Sequence, residues 1–499
     1  MSSVTYSSTR GGQKKLDFRT VVMQGLAHDR GLFVPDEIPT VSAEELAAWR
    51  DLSYPDLSVQ IFRKFVKEDQ VPLSVLKDII HRSCAAFRHP DVTPVIQVNG
   101  HAVLELFHGP TLAFKDVALQ MLGNFFEYFL DTGSNGGQLT VLGATSGDTG
   151  SAAIAGLRGK RGVSCIILYP HGRVSHRQEL QMITVPDENV FAVAVKDATF
   201  DDCQDFVKAS FNTPAFRDKV HLGAVNSINW CRVLAQTTYY YWSYFRVTSS
   251  NAETASFSVP TGNFGDILAG FYSKQMGLPV DKLVVATNEN DILHRFFTTG
   301  KYERESIQET ISPSMDICVS SNFERYLFWL TGNDPAKLKQ WMTDFEKTNV
   351  LSVSPAQLRQ AQGDFFSSRV NTDETIRVIG EYHKSHNYLL CPHSAVGVKA
   401  IHNLKLVSPR MVCLATADQG KFPDAVRRAV QDPPTPTEIQ VLEKLPIRRF
   451  ELSKDLKKVQ NFVESRVSGN KKSFVSEHSL LLTAIAVSVL AVALQMRKR

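Results

Sequence analysis

One lysine in the stretch FHGPTLAFKDVALQMLGNFFEYFL (107–130) stands where an ammonium ion is costly. Lys115 opens a run in which Val117, Leu119, Met121, Leu122, Phe125, Phe126, Phe129 and Leu130 leave little polar face, the pattern of a buried helix rather than a surface one. Two chemistries are open to such a lysine. It can lay its methylenes on apolar surface and keep its head in water. Alternatively, burial and the positive end of the following helix can hold it partly neutral, which makes it a nucleophile able to form a Schiff base.

Two glycine-rich corners could supply what such a nucleophile needs. VPTGNFGDILAG (259–270) sets a turn between an apolar strand and a helix, where free backbone N–H groups and the helix dipole favour an anion, and Gly262 and Gly265 would let the backbone approach a phosphate. It is neither the dinucleotide fingerprint nor a P-loop, and alone it is equally a tight strand-to-helix connection. GATSGDTGSAAIAG (143–156) is a second such corner. There Thr145, Ser146 and Thr149 offer hydroxyls that could seat a carboxylate or phosphate, or simply cap the helix.

The elements that must position these residues alternate between strand and helix from about residue 96 onward, as in an α/β fold with largely parallel sheets. QLTVLG (138–143), SAAIAGLRG (151–159) and VSCIILYP (163–170) form one βαβ unit. SFSVP (256–260), ILAGFYSKQMG and KLVVAT (282–287) form another. The expected division is a helical N-terminal segment over 1–95, an α/β domain carrying Lys115 over 96–250, a second α/β domain with the glycine-rich loop over 251–465, and a linker and hydrophobic tail over 466–499. The stretch EIQVLEKLPIRRFELSKDLKKVQNFVESRV reads as a closing helical piece.

Composition removes several classes. At 499 residues, 43% apolar and 21% charged, the chain can fill two or three domains, and a net charge of +4 with interspersed signs gives no stripe for nucleic acid. The seven cysteines are scattered with no CxxC pair, so neither a disulfide framework nor a metal site is implied, and a reducing compartment suits them. The N-terminus lacks the apolar core of a secretory signal. SLLLTAIAVSVLAVALQM (479–496), flanked by Lys471, Lys472 and RKR, is at the short end of what spans a bilayer. It reads as a tail anchor on the mitochondrial outer membrane or peroxisome with the other domains in the cytoplasm, or else as a docked terminal helix.

HGPTLAFKD, GATSGDTGSAA, VNSINWCRVLAQ, VPTGNFGDILAG and NENDILHRF, in this order, resemble the motifs of threonine synthases, and the similarity runs from YSSTRGG to about residue 465. The resemblance implies a fold type II pyridoxal-phosphate enzyme with pyridoxal 5'-phosphate held in a cleft between two α/β domains. Lys115 matches the family's Schiff-base lysine; Gly262, Asn263, Phe264, Gly265 and Asp266 match its cofactor-phosphate cradle; Thr416 matches the residue bonded to the pyridine nitrogen. The implied substrate is a small phosphorylated amino acid, O-phosphohomoserine, with Thr111, Ser146, Thr149, Asn229 and Arg232 as candidates for its carboxylate and phosphate.

Two departures bear on the product. The family has an aspartate before PHSAVG and a segment HPAKF after the ring-nitrogen threonine, whereas this chain has Cys391 and DQGKF (418–422). Both resemble the animal threonine synthase-like proteins, and the histidine missing from the second is a natural proton carrier. The resulting expectation is a phospho-lyase giving 2-oxobutanoate, ammonia and phosphate from O-phosphothreonine or O-phosphohomoserine. Threonine synthesis is the alternative, and a membrane-tethered binding module without activity is the rival of another class. Oligomeric state is not legible.

Overall fold

A run such as VSCIILYP, apolar almost throughout, is satisfied in a sheet covered on both faces. In the computed structural model, which describes residues 4–133 and 137–467, this strand (Val163–Pro170) is buried at every position and is the middle strand of a parallel five-stranded sheet. Its neighbours run in the order Phe450–Ser453, Val190–Lys196, Val163–Pro170, Leu139–Ala144 and Leu222–Gly223. The second sheet has six strands in the order Phe365–Arg369, Val280–Thr287, Ala255–Pro260, Met411–Ala415, His101–Glu105 and Val95–Val98. Every pairing in it is parallel except the last, a hairpin.

The strands do not sort by position in the chain. Residues 95–105, expected with the segment 96–250, pair beside Met411–Ala415 in the six-stranded sheet. Phe450–Ser453, from a stretch expected to be helical, pairs with Val190–Lys196 in the five-stranded one. Hydrophobic periodicity reports that a strand exists but not its neighbour, and the short FELS segment is masked by the charged residues around it. The N-terminal segment is mainly helical, with Phe18–Gln24, Ala43–Trp49, Tyr54–Phe65 and Leu73–Cys84 joined by a two-stranded ribbon of Tyr6–Ser8 and Phe33–Pro35. Ser53 caps Tyr54–Phe65, which buries Leu57, Ile61, Phe62 and Phe65, and Phe62 stacks on Phe125 at 5.6 Å. The apolar run 479–496 lies outside the described residues; among those described, no helix is long and apolar enough to cross a membrane.

The helix Lys115–Asp131 is buried along nearly its whole length, as its all-round apolar pattern requires. It packs on the helix Asp148–Leu157 through two glycines, Gly123 and Gly156. A Cβ on Gly123 would overlap the carbonyl of Gly156, and one on Gly156 would overlap that of Leu119. Each glycine lies eight residues after the charged residue that opens its helix, so the close approach also brings the first turns, with Lys115 and Asp148, together. Replacing Gly156 by Ala is expected to destabilise the fold by about 1–3 kcal/mol through overpacking. The check is a lower thermal midpoint, against Gly363→Ala as control: its Cβ would meet open space, so its midpoint should be unchanged or higher.

Candidate active site

Three adjacent parallel strands, Ala255–Pro260, Met411–Ala415 and His101–Glu105, end on the same side of the six-stranded sheet, the side where ligands collect in open α/β folds. From these ends leave the loop Gly262–Asp266, the residue Thr416 and the connection to Lys115. A short backbone staple joins the last two. Ala113 and Ala417 form an antiparallel bridge, the Phe114 N–H donates to the Thr416 carbonyl at 2.8 Å, and that of Asp418 to the Leu112 carbonyl at 3.0 Å. Leu112 holds a left-handed backbone (φ 62°) and is buried, a local strain of about 1–3 kcal/mol that the staple and core must sustain.

The other sheet contributes Asp148, at the end of Leu139–Ala144. Its carboxylate lies 3.8 Å from Lys115 Nζ and 2.9 Å from Lys421 Nζ, with side chains only 4%, 12% and 1% exposed for Asp148, Lys115 and Lys421. Gln178 Nε2 donates to Oδ1 at 3.0 Å and the Ser314 hydroxyl to Oδ2 at 3.2 Å. Burial opposes ionisation of Asp148, but Lys421 and Lys115 with the Gln178 bond outweigh it and hold the carboxyl well below its usual range. Burial pushes the Lys115 ammonium below the ordinary lysine range, aided by Lys421 and Arg232 and opposed by Asp148 and Asp116. The amine is thus more readily freed than a surface lysine.

His393 completes this cluster. It is buried, its Nε2 accepts the Ser314 backbone N–H at 3.2 Å, and its ring packs on Phe422 with centroids 4.6 Å apart. Acceptance at Nε2 leaves the proton on Nδ1, which has no partner among the described residues. Burial, together with Lys115 and Lys421 and against Asp148, pushes the imidazole down to about 3, so it is neutral at physiological pH.

The loop Gly262–Asp266 presents backbone rather than side chains. Phe264 starts the helix Gly265–Gln275 in a left-handed conformation (φ 63°), held by a ring buried against Phe323 and Phe365 at 5.1 and 5.4 Å. Asn263 accepts the Ser321 hydroxyl at 3.1 Å. The Asp266 carboxylate accepts Tyr239 and Tyr240 hydroxyls at 2.6 and 2.9 Å, and burial raises it to about 6. What the loop can offer a ligand is the set of first-turn amides, which have no intrahelical acceptor.

The candidate substrate residues divide. Thr111 spends its hydroxyl and its N–H on Asp116 (2.7 and 2.8 Å), and Asn229 caps the helix Trp230–Val247 while donating to the Val22 carbonyl at 2.9 Å. Neither side chain is free for a ligand. Arg232 is buried, gives Nη1 to the Val225 carbonyl at 3.1 Å and leaves Nε without a partner among the described residues; burial pulls it down to about 10. Ser146 is exposed and Thr149 partly so at the Asp148 corner, and neither hydroxyl bonds to another described residue. Gly420 is packed against Pro436, where a Cβ would clash with the ring.

The residues present fit pyridoxal phosphate: an amine with a lowered proton affinity, a helix start with free amides, and two buried donors, Arg232 Nε and His393 Nδ1, that lack partners among the described residues. Sequence reasoning had quoted the motifs containing Asp148, Lys421 and His393 without giving these residues roles, and it missed Ser314 and Gln178. For Asp148 and Lys421 the signal was there, since each is a charged residue in a glycine-bearing turn beside a core segment.

Residues 5–84 match the family described as Threonine synthase N terminus, 87–417 Pyridoxal-phosphate dependent enzyme, and 394–463 Threonine synthase, C-terminal. The chain is 49% identical over 463 residues to a threonine synthase of Schizosaccharomyces pombe, covering 86% of this chain and 90% of that protein. It is 38% identical over 457 residues to threonine synthase-like 2 of Xenopus laevis, covering 90% and 95%. Among solved structures, pyridoxal-phosphate-bound threonine synthase from Brucella melitensis superposes with a TM-score of 0.90 at 40% identity, covering 93% of this chain and 100% of that one. The protein is therefore a pyridoxal-phosphate-dependent carbon–oxygen lyase acting on phosphate esters, and the chain belongs to the threonine synthase family.

Proposed function

We propose that the protein is a threonine synthase, converting O-phosphohomoserine and water into threonine and phosphate. The observation that carries this reading is His393 beside Asp148, Ser314 and Lys115. That imidazole belongs to PHSAVG, a segment the family pattern shares, and it can carry a proton where DQGKF has no histidine. Higher identity to the S. pombe synthase than to the threonine synthase-like protein supports the same reading.

In this reading Lys115 would hold pyridoxal phosphate through its amine, the amides of Gly262 to Asp266 would receive its phosphate, and the Thr416 hydroxyl would meet its ring nitrogen. When bound, pyridoxal phosphate supplies the electron sink that makes the substrate's Cα proton removable and loss of phosphate from Cγ feasible. Lys115 Nζ takes that proton and returns it. Arg232, with Ser146 and Thr149 at the helix start, binds the substrate's phosphate and carboxylate. His393 gains basicity when a phosphate dianion is near and serves the later proton movements, while burial of the cluster keeps stray water away until one molecule is delivered to Cβ.

Incubation with O-phosphohomoserine should give threonine and phosphate in equal amounts with little 2-oxobutanoate. Phosphate matched instead by 2-oxobutanoate and ammonia would replace the synthase with the lyase. Changing His393 to Gln should slow threonine formation by roughly 10²- to 10⁴-fold and raise the share of 2-oxobutanoate; an unchanged product ratio and rate would remove His393 from the reaction. Borohydride reduction of the holoenzyme followed by peptide mapping should place the label on Lys115, and Lys115→Ala should lose turnover by several orders of magnitude. Thr416→Ala should weaken cofactor binding by about 1–3 kcal/mol, the cost of an unsatisfied buried partner.

A further inference from the structure

Lys421 is a second buried lysine in the cleft, and the reaction as described gives it no part. Its Nζ is fixed at 2.9 Å from Asp148 Oδ1 and donates to the Thr111 carbonyl at 2.6 Å, with the side chain 1% exposed. Lys115 approaches the same carboxylate only to 3.8 Å, from the Oδ2 side, where the Ser314 hydroxyl already donates.

We infer that Lys421 is a positioning residue: by acting as the near counter-ion of Asp148 it keeps that carboxylate from capturing the Lys115 amine, which stays available as a nucleophile. A buried carboxylate needs a cation or a full set of donors. Three of the four partners of Asp148 are Lys421, Gln178 and Ser314, and they engage both oxygens. Take Lys421 away and Lys115 becomes the nearest cation to an under-neutralised carboxylate. The two would close into a tight pair, with the amine held as ammonium.

The remaining charged and titratable groups facing Lys115 do not substitute for Lys421. Arg232 lies among the cations that disfavour the ammonium, but it donates to the Val225 carbonyl and not to Asp148. Asp116 is occupied by Thr111, and His393 is neutral. The geometry also explains why an acidic residue is tolerated at an anion-binding helix start, because Lys421 cancels its charge where an anionic ligand must approach.

The inference rests on Lys115 being the cofactor lysine, and the test separates the two. In full-length apoprotein, competitive acetylation with acetic anhydride across pH 6 to 11, read by peptide mass spectrometry, gives the titration midpoint of Lys115 without cofactor or turnover. Lys421→Gln is expected to move that midpoint up by one pH unit or more, so that the free-amine fraction at pH 8 falls about tenfold, while Lys421→Arg keeps it near wild type. Asp148→Asn should lower it. Adding Lys421→Gln to Asp148→Asn should then move it by less than a third as much as Lys421→Gln does alone.

An unchanged or lowered midpoint in Lys421→Gln overturns the inference. So does an equal upward shift in the Asp148→Asn background, which would mean direct repulsion between the lysines. Should Lys421→Gln alone not fold, the comparison of Asp148→Asn with the double variant, where the buried charges leave together, decides: a shift below about a third of a pH unit supports the inference and a larger upward shift overturns it. Borohydride labelling with pyridoxal phosphate at a lysine other than Lys115 would sink the functional reading and leave the measured coupling standing.

Discussion

The ion pair between Lys421 and Asp148 joins two sheets that share no strand. Lys421 follows the strand Met411–Ala415 of the six-stranded sheet, and Asp148 follows Leu139–Ala144 of the five-stranded one. Desolvating both charges is expensive and is offset only if each finds further donors or acceptors. They do: Asp148 accepts Gln178 and Ser314, and Lys421 donates to the Thr111 carbonyl. The helix His176–Ile183 reinforces the junction, with Gln178 on Asp148, Gln181 on the Thr111 carbonyl and Arg177 on the Gly420 carbonyl. This buried polar seam adds to an apolar core that takes in strands of both sheets, among them Val141, Ile167, Val259 and Leu414, and it fixes the charged groups at the cleft.

Two strained residues border the cleft. Leu112 and Phe264 both adopt positive φ although neither is glycine, and both side chains are buried. Each conformation turns the chain sharply at the end of a strand and aims backbone at the cleft, one into the staple with Asp418, the other into the start of the helix Gly265–Gln275. A strained residue persists only where its surroundings over-determine it, and here large apolar side chains sunk in the core do so. The core therefore sets site geometry as well as stability.

Much of this was legible in the sequence. The all-round apolar pattern after Lys115, the strand VSCIILYP and the corner GNFGD carry local signals, and their elements form within a few residues of the expected bounds. Partnership across the chain was not. The pairing of 95–105 with 411–415, the seat of Phe450–Ser453 and the engagement of Asn229 by Val22 depend on contacts that no local period encodes, while Thr111 meets Asp116 five residues on, in a turn that hydrophobic periodicity does not report. Thr111 and Asn229 were polar residues in strong motifs, which marks a place near the site without distinguishing a ligand contact from a bond that builds the frame.

The two departures from the family pattern can be weighed by what their side chains touch. Cys391 caps the helix Pro392–Asn403, accepting the Ser394 N–H at 3.4 Å, and contacts the Ser394 hydroxyl at 3.0 Å, which in turn accepts the Thr416 N–H at 3.2 Å. Burial pushes the thiol up, so it stays neutral. The family's aspartate could cap the same helix but would bring a charge with it. The thiol keeps the capping geometry and omits that charge. In DQGKF, Asp418 accepts the Gly420 N–H at 2.7 Å, Gln419 donates to the Pro434 carbonyl at 2.8 Å and Gly420 packs on Pro436, so these three shape the turn while Lys421 alone reaches into the cleft. Neither departure removes the cluster that contains an imidazole and two lysines around one carboxylate. Cys391, Asp418, Gln419 and Gly420 serve the frame, and His393, Lys115 and Lys421 remain as groups that can move protons.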